Sequence, residues 1–255
     1  MVVPTGRAAL MRWSSAALSD RGRRRARNED TFLLSPDAQV FAVADGMGGH
    51  AAGDVASQLA IRCLNDAFAQ PLPSQSGPAP LLRRLLAAFE SANEALLRHA
   101  AQHPECSGMG TTLTAVAALR TRPQCVLAHV GDTRCYQLRG GKLVQLTADH
   151  TWVQSQIDAG MLSPLQARHH PWAPLLNRVL GTPALGPADT RVVDAAPGDT
   201  FLLCSDGLTG LVDDADLAAM LARPLSLEQH VRDLIAAANL RGGHDNITVV
   251  LLRAE

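Results

Sequence analysis

Three aspartates in this sequence share one local setting, in which a carboxylate lies at the edge of an apolar run and directly before a turn-favouring residue. They are Asp45 in VADG, Asp206 in CSDG and Asp245 in GHDN, and Asp132 in AHVGDTR is a fourth candidate. Strand ends can direct short carboxylates toward one point, and Mg²⁺ and Mn²⁺ prefer several oxygen ligands. Because Asp-Gly and Asp-Asn are also ordinary turn dipeptides, each aspartate alone has a second interpretation as a turn residue.

The glycine-rich stretch that follows Asp45 also has two interpretations. Gly46, Gly48 and Ala51 satisfy the loose dinucleotide-binding pattern G-x-G-x-x-G/A between a predicted strand and a predicted helix. That interpretation lacks its ribose-binding acid, because Asp66 has a suitable spacing but lies within the helical pattern. A carboxylate at position 45 would also repel a pyrophosphate. The other interpretation is a metal site, in which the glycines let the backbone turn sharply and approach the ions.

The composition excludes several function classes. A formal net charge of -1 over 255 residues predicts no general attraction to nucleic acid or to an anionic membrane. The five cysteines have no C-x-x-C spacing, which is typical of reduced thiols. No apolar run approaches the roughly 20 residues of a membrane span, and the N-terminal stretch lacks the apolar core of a signal peptide. We therefore expect a cytoplasmic protein with no membrane and no nucleic-acid partner.

Hydrophobic periodicity predicts an α+β domain rather than a regular βαβ alternation. Antiparallel strands in runs, with the helices grouped in pairs, are the basis of this prediction. The first expected elements are strands near 11–18, 31–34 and 40–44, a helix over 54–69 that Asp54 caps, and a helix over 81–101. Next come four short β-type runs, the last two joined at Gly140-Gly141, a polar helical region, the strand DTFLLCS, two helical stretches and the strand NITVVLLR.

Eight segments carry a more specific signal. They are DRGRRRARNED, VADGMGGHAAGDVAS, GMGTTLTAV, AHVGDTRCYQLR, LTADHTWV, HPWAPLLNRVLG, GDTFLLCSDGLTGLV and GGHDNITVVLL. In this order, over nearly the whole chain, they resemble the bacterial form of the PP2C or PPM family of metal-dependent serine/threonine protein phosphatases. The resemblance implies a four-layer αββα sandwich of two antiparallel sheets flanked by helix pairs. It places this domain at 13–255, after an extension at 1–12, with a flap at about 151–173 beside the active site.

The resemblance also implies a centre of two Mn²⁺ or Mg²⁺ ions. Asp45 would bridge both ions, and the backbone carbonyl of Gly46 would help to hold the first. Asp206 and Asp245 would hold the second, and Asp132 matches a position that holds a third, weaker ion in related bacterial enzymes. A protein nucleophile is then unnecessary, which agrees with the absence of a C-x₅-R cysteine-phosphatase signature.

Further residues match the family's pattern around the ions. Arg25 matches the arginine that grips the substrate phosphate, which suits its planar bidentate donors. Glu29 and Asp30 match acidic residues around the metal-bound waters, and Asn246 is expected to orient the site through hydrogen bonds. His50 is the candidate general acid for the leaving alkoxide, but Met-Gly-Gly separates it from the Asp-Gly pair, whereas eukaryotic relatives have a histidine directly there. A structural role for this histidine is the alternative.

The function implied is hydrolysis of phosphoserine and phosphothreonine in proteins by a hydroxide that the two ions activate. The expected partners are phosphorylated proteins that a cognate serine/threonine kinase modifies, and a monomer is expected. His129, His150 and His244 flank the motifs and are expected to be structural. One alternative is a catalytically inactive, phosphoprotein-binding scaffold of the same fold. The other is a hydrolase of small phosphoesters or a nuclease that uses the same metals.

Overall fold

The computed structural model describes residues 11–48, 52–70, 77–168, 170–183 and 185–255. Its strands are β1 (Trp13–Asp20), β2 (Asp30–Ser35), β3 (Val40–Met47), β4 (Gly110–Thr111), β5 (Leu113–Ala118), β6 (Gln124–Val130), β7 (Arg134–Arg139), β8 (Lys142–Gln145), β9 (Asp189–Asp194), β10 (Thr200–Cys204) and β11 (Ile247–Ala254). Its α-helices are α1 (Ala52–Ala67), α2 (Pro78–Gln102), α3 (Trp152–Asp158), α4 (Pro164–Arg168), α5 (Asp206–Thr209), α6 (Asp214–Leu221) and α7 (Leu227–Leu240). A short 3₁₀ helix, Pro104–Cys106, follows α2.

The strands form two sheets in which every neighbouring pair is antiparallel. The first sheet has the order β1-β11-β10-β7-β8, and the second has the order β2-β3-β5-β6-β9, with β4 paired to β3. The first and last strands of the chain are neighbours, since Trp13 lies opposite Ala254. The two ends of the described domain therefore close the first sheet together.

Alternating side chains on the strands separate three apolar layers. In β3, Val40, Ala42 and Ala44 point toward α1 and α2, while Phe41 and Val43 point toward the other sheet. Side chains of β10 and β11 alternate in the same way. One set completes the apolar layer between the two sheets, and the other set forms the apolar layer beneath α5, α6 and α7. Since a sheet that is apolar on both faces must be covered on both, helices pack outside each sheet. The predicted four-layer αββα sandwich is confirmed.

Two helices cover each outer face. The long helices α1 and α2 bury one apolar stripe on the second sheet, which includes Leu64, Leu85 and Phe89. Helices α6 and α7 cover the first sheet through residues such as Leu217 and Leu234. Among the helices of the described ranges, none combines the length and the apolar character needed to cross a bilayer.

The structure differs from the sequence-based prediction at three elements. Helix α1 begins at Ala52, so Asp54 lies in its first turn and is not the N-cap. Strand β9 was not predicted, because Val193 is its one buried residue and the apolar run is too short to stand out. Helix α5 was not predicted either, since it is one turn long and begins at a residue that resembles a strand-end turn.

Substitution of Leu203 by Ala should destabilise the layer between the sheets. Leu203 is fully buried, so loss of its side chain should lower the free energy of unfolding by about 2–5 kcal/mol. Leu240, which is 88% exposed, is the matched control, and its change to Ala should cost less than about 0.5 kcal/mol. Urea denaturation monitored by circular dichroism measures both, and equal losses in the two variants would contradict the layer assignment.

Candidate metal centre

Four predicted acidic residues lie where strands of the two sheets end. Asp30 begins β2 and lies opposite Asp45, near the end of β3. Asp206 follows β10 and begins α5, and Asp245 lies just before β11. Because β2 and β3 are neighbours in one sheet and β10 and β11 in the other, the four carboxylates meet at one edge of the sandwich. The negative charge of at least one of the other three acts on each of Asp30, Asp45 and Asp206.

This convergence changes the protonation of the carboxyl groups. The pKa of Asp206 is raised to about 6, by burial first and then by the negative charge of Asp245. The pKa of Asp30 is raised to about 7, again mainly by burial. Burial also holds the pKa of Asp45 well above its ordinary value, and the charges of Asp30 and Asp206 add to the shift. The site is therefore a concentration of negative charge that a bound cation would relieve.

Gly46 allows a close approach of three backbone segments at this edge. A Cβ at this position would lie 1.9 Å from the carbonyl oxygen of Gly53 and 2.7 Å from that of Glu29. Both contacts are with backbone, so they cannot be relieved by a side-chain rotation. The Gly46 amide donates to the same Glu29 carbonyl at 3.1 Å. The glycine after Asp45 is thus required by packing against the first turn of α1.

Two threonines fix the backbone of Asp45. The Asp45 amide donates to Thr112 Oγ1 at 3.0 Å, and Thr111 Oγ1 donates to the Asp45 carbonyl at 2.9 Å. Ser205 acts similarly on Asp30, since its hydroxyl donates to Asp30 Oδ2 at 2.7 Å. Sequence reasoning missed these three hydroxyl residues. The available signal was their position inside the GMGTTLTAV and LLCSDG motifs, next to a predicted ligand or its strand.

Asn246 connects two loops of the site with its side-chain amide. Its Oδ1 accepts from the Glu29 amide at 2.8 Å, and its Nδ2 donates to the carbonyls of Arg21 and Arg27 at 2.9 and 2.8 Å. Its own backbone amide donates to Asp245 Oδ1 at 2.8 Å. This buried side chain therefore holds the loop that carries Glu29 against the segment that carries Asp245.

Arg25 extends from that loop toward the acidic cluster. Its guanidinium pairs with Asp245 Oδ2 at 2.5 Å, and half of its side-chain surface remains exposed, at 50%. Among the arginines of this loop, all of them in the described ranges, it is the one that forms an ion pair with a cluster carboxylate. This position favours Arg25 over its neighbours as the group that meets an anion at the cluster.

Asp132 lies in the turn between β6 and β7. Its side chain is buried, and its pKa is held well above the ordinary value by burial and by the charges of Asp206 and Asp149. The Gly131 amide, just before it, donates to His150 Nδ1 at 3.0 Å. His150 in turn stacks on His129, with ring centroids 4.7 Å apart. The two histidines thus support the turn that carries Asp132.

His129 is held in one neutral tautomer. Its Nε2 lies 3.0 Å from the Ala148 carbonyl and must donate to it, while Nδ1 lies 2.8 Å from the Thr114 hydroxyl. Burial lowers the pKa of His129 to about 3. His244 is exposed on the segment before Asp245. The predicted general acid, His50, lies outside the described residues.

The described side chains contain no group of three or more acidic, histidine or cysteine residues placed to ligate a single ion. Asp245, predicted as a ligand, pairs instead with Arg25 and with the amide of Asn246. Two buried carboxylate oxygens nevertheless fit a divalent cation. Oδ1 of Asp206 and Oδ1 of Asp30 are buried without a hydrogen-bond partner, and carboxylate oxygens are the ligands that Mg²⁺ and Mn²⁺ prefer.

The family of the chain follows from comparison with known proteins. The sequence pattern of the family described as protein phosphatase 2C matches residues 20–242. The chain belongs to this family. The family membership predicted from the motifs is therefore confirmed, and the edge where the four carboxylates meet lies almost wholly within the matched residues.

Two curated proteins that are similar to this chain are named as serine/threonine phosphatases. The serine/threonine protein phosphatase PstP of Mycobacterium tuberculosis is 43% identical over 236 residues, which are 92% of this chain and 44% of PstP. The chain thus spans less than half the length of that relative. The serine/threonine phosphatase stp of Listeria welshimeri is 40% identical over 239 residues, which are 92% of this chain and 93% of the relative.

A solved structure is also similar to this chain along nearly its whole length. The crystal structure of the catalytic domain of PstP in complex with two manganese ions superposes with a TM-score of 0.84 at 38% identity. The match covers 96% of this chain and 99% of that one. At this identity and coverage, the fold of this protein phosphatase 2C member is shared along nearly its whole length.

The raised pKa values predict an unusual pH dependence of stability when divalent ions are chelated. Because the folded state binds protons on Asp206 and Asp30 more tightly than the unfolded state, stability is present at low pH and is lost as the pH rises from about 4 to about 7. In EDTA, the free energy of unfolding should fall by up to roughly 6 kcal/mol across this range, because both groups contribute. The variant Asp206→Asn should show a smaller fall, and Mn²⁺ should restore the wild type at pH 8.

Urea denaturation at several pH values, with EDTA or Mn²⁺, measures this dependence. A wild-type stability in EDTA that rises from pH 4 to pH 7, with the same slope in Asp206→Asn, would contradict the electrostatic account of the site.

Proposed function

We propose that this protein hydrolyses phosphoserine and phosphothreonine in proteins, as a metal-dependent phosphatase. The observation that carries the proposal is the meeting of four carboxylates at one edge of the sandwich, with the Arg25 guanidinium directed at them. A cluster of oxygen donors beside an exposed guanidinium can hold divalent cations and a phosphate at the same place. The two manganese ions in the PstP crystal structure support this assignment.

The residues that would hold the ions are those at the strand ends. Asp45 would contact both, with the carbonyl of Gly46 at the first and with Asp206 and Asp245 at the second. Asp132 would hold a third, weaker ion, since it lines the same cleft as Asp206. Two divalent ions supply positive charge that lowers the pKa of an attacking water and neutralises the phosphoryl oxygens.

The other side chains bind the substrate and orient water. Arg25 would exchange its contact with Asp245 for a bidentate contact with the phosphate, which its exposure permits. Oδ1 of Asp30 has no hydrogen-bond partner and can accept from an ordered water. Burial raises the pKa of Glu29, whose carboxylate lies beside Gly53 in the first turn of α1. Protonation of the leaving serine or threonine oxygen needs a general acid, and His50 is the proposed group.

Phosphorylated proteins are the proposed substrates, and a cognate serine/threonine kinase would produce them. The flap at about 151–173 carries α3 and α4 and borders the cleft beside Asp132. A monomer remains our proposal for the oligomeric state. A phosphoprotein-binding scaffold without activity is the alternative, but the buried oxygens of Asp206 and Asp30 are costly to retain without a cation.

Phosphate release from a phosphothreonine peptide tests the proposal. The wild type should be active with Mn²⁺ and inactive with EDTA, and Asp206→Asn should lose at least about two orders of magnitude in kcat/KM. Arg25→Gln should raise KM by about tenfold or more, because it removes the phosphate contact. Arg24→Gln, an exposed neighbour without an ion pair to the cluster, is the matched control and should change little.

A parallel assay with a nucleotide and a DNA oligonucleotide separates the alternatives. Preferred cleavage of either would replace the protein phosphatase assignment. A folded protein that binds the phosphopeptide but releases no phosphate at any Mn²⁺ or Mg²⁺ concentration would establish the scaffold instead.

A further inference from the structure

A cleft of about 660 Å³ opens beside Asp132 and Asp206, between the flap and the start of α6. Its flap side is mostly apolar, with three polar or charged residues, Thr151, Gln154 and Arg168, beside Val153, Ile157, Pro164, Ala167, Ala173 and Pro174. Its other side is formed by the residues that follow α5 and by Asp213 and Asp214 at the start of α6. The two sides of the cleft therefore differ in chemistry, since the flap side is mostly apolar and the other side carries two carboxylates.

The charged groups of the cleft are not balanced. Five aspartates and two arginines line it. Asp132 and Asp206 belong to the candidate metal centre described above. Arg134 is held in a two-pronged contact with Asp149, with nitrogen-to-oxygen distances of 2.9 and 2.7 Å, so these two charges neutralise each other. What remains is the acidic pair at the start of α6, with Arg168 exposed on the flap side.

The acidic pair, Asp213 and Asp214, is fixed in place but has no cationic partner. Oδ1 of Asp213 accepts from the Asp216 amide at 2.9 Å and so caps α6, and Oδ1 of Asp214 accepts from the Tyr136 hydroxyl at 3.1 Å. Neither carboxylate forms an ion pair with any side chain in the described part of the structure. Their positions are therefore set by neutral donors, and their charge is free to act on a ligand.

The flap segment and the residues just after it carry large apolar side chains that are exposed. Met161, Leu165, Trp172 and Leu175 are 74%, 72%, 53% and 50% exposed. These four residues belong to the same stretch of chain as the flap residues that line the cleft. Exposed apolar surface of this kind is typical of a region that contacts another polypeptide.

From these contacts we infer that the cleft receives a lysine or arginine side chain of the substrate polypeptide, close in sequence to the phosphorylated residue. This inference rests on the proposed function. The aliphatic stem of a basic residue suits the apolar flap side, and its cationic end suits Asp213 and Asp214. The position of the cleft beside Asp206 keeps such a residue near the phosphate that is removed. The acidic pair thus determines substrate preference and takes no part in the chemical step.

Peptides built on one phosphothreonine sequence test the inference. Lys, Ala or Glu is placed at each of several positions on either side of the phosphothreonine, and kcat/KM is measured with Mn²⁺. The wild type should prefer Lys over Ala by about three- to tenfold at one position or more, and Glu should be the poorest. The preference should weaken in high salt, because salt screens partly exposed charges.

Three variants assign the preference to the cleft. Asp213→Asn with Asp214→Asn should abolish the Lys-to-Ala ratio, while Asn keeps the helix cap and an acceptor for Tyr136. Arg168→Gln should increase the ratio, because it removes the opposing positive charge. Asp216→Asn is the matched control on the same helix, since Asp216 pairs with Arg241 and does not line the cleft, and it should keep the wild-type ratio.

The outcomes separate this inference from the proposed function. A small aryl phosphate, which has no flanking residues, reports the phosphatase reaction alone. If it is hydrolysed but the Lys-to-Ala ratio is close to one, or is unchanged in the double variant, the inference is wrong and the proposed function stands. If nothing is hydrolysed, fluorescence anisotropy of the same labelled peptides makes the comparison by Kd. Tighter binding of the Lys peptide that the double variant loses would then support the cleft, and equal binding would overturn it.

Discussion

Carboxylates that repel one another are held together where the two sheets end, and the local structure is arranged around this repulsion. Burial of Asp45, Asp30 and Asp206 favours their protonated forms, and the pKa of each is raised further by the negative charge of at least one neighbouring aspartate. In an ordinary apolar core such groups would be strongly destabilising. Their placement fits a site in which a bound cation supplies the positive charge that balances the carboxylates. Packing alone does not explain why they lie together.

Neutral hydrogen-bond donors hold the aspartates in place, and glycines let the surrounding backbone segments pack closely. The Ser205 hydroxyl donates to the carboxylate of Asp30, the Thr111 hydroxyl donates to the backbone carbonyl of Asp45, and the side-chain amide of Asn246 joins the loops on either side. Glycines allow backbone to approach backbone at the same edge. A Cβ on Gly207 would lie 1.9 Å from the Asn246 carbonyl, so α5 can pack directly on the segment that carries Asp245. Sheet ends, loops and helix starts are therefore fixed as one unit.

Much of the fold could be predicted from the sequence, because strands buried on both faces produce long apolar runs. The runs of β3, β10 and β11 are of this kind. Strand β9 escaped prediction since an exposed edge strand needs little apolar character. The first turn of α1 was misplaced because Asp54 resembles an N-cap, whereas Asp54 lies inside the first turn, next to Gly53, whose backbone packs against Gly46.

The candidate site, like the fold, could be predicted from the sequence only in part. The aspartates could be predicted as candidates because each one lies beside an apolar run, and this pattern is local. The supporting residues Thr111, Thr112 and Ser205 were missed, since their partners are set by sheet pairing, which short-range patterns do not reveal. The cleft beside the flap also depends on tertiary structure. Asp213 and Asp214 look like an ordinary acidic helix start in the sequence, and only the tertiary structure shows that they line a cleft with residues of the flap.

The most direct test of the central claim is to count the Mn²⁺ ions bound by each chain in equilibrium dialysis, for the wild type and for Gly46→Ala. The account predicts two ions in the wild type, as in the PstP crystal structure, and the loss of at least one in the variant, whose Cβ would lie 1.9 Å from the Gly53 carbonyl. Gly77→Ala, where the added Cβ meets nothing within 4 Å, should bind as the wild type does. A wild type that binds no Mn²⁺, or a folded Gly46→Ala protein that binds it equally well, would contradict the account.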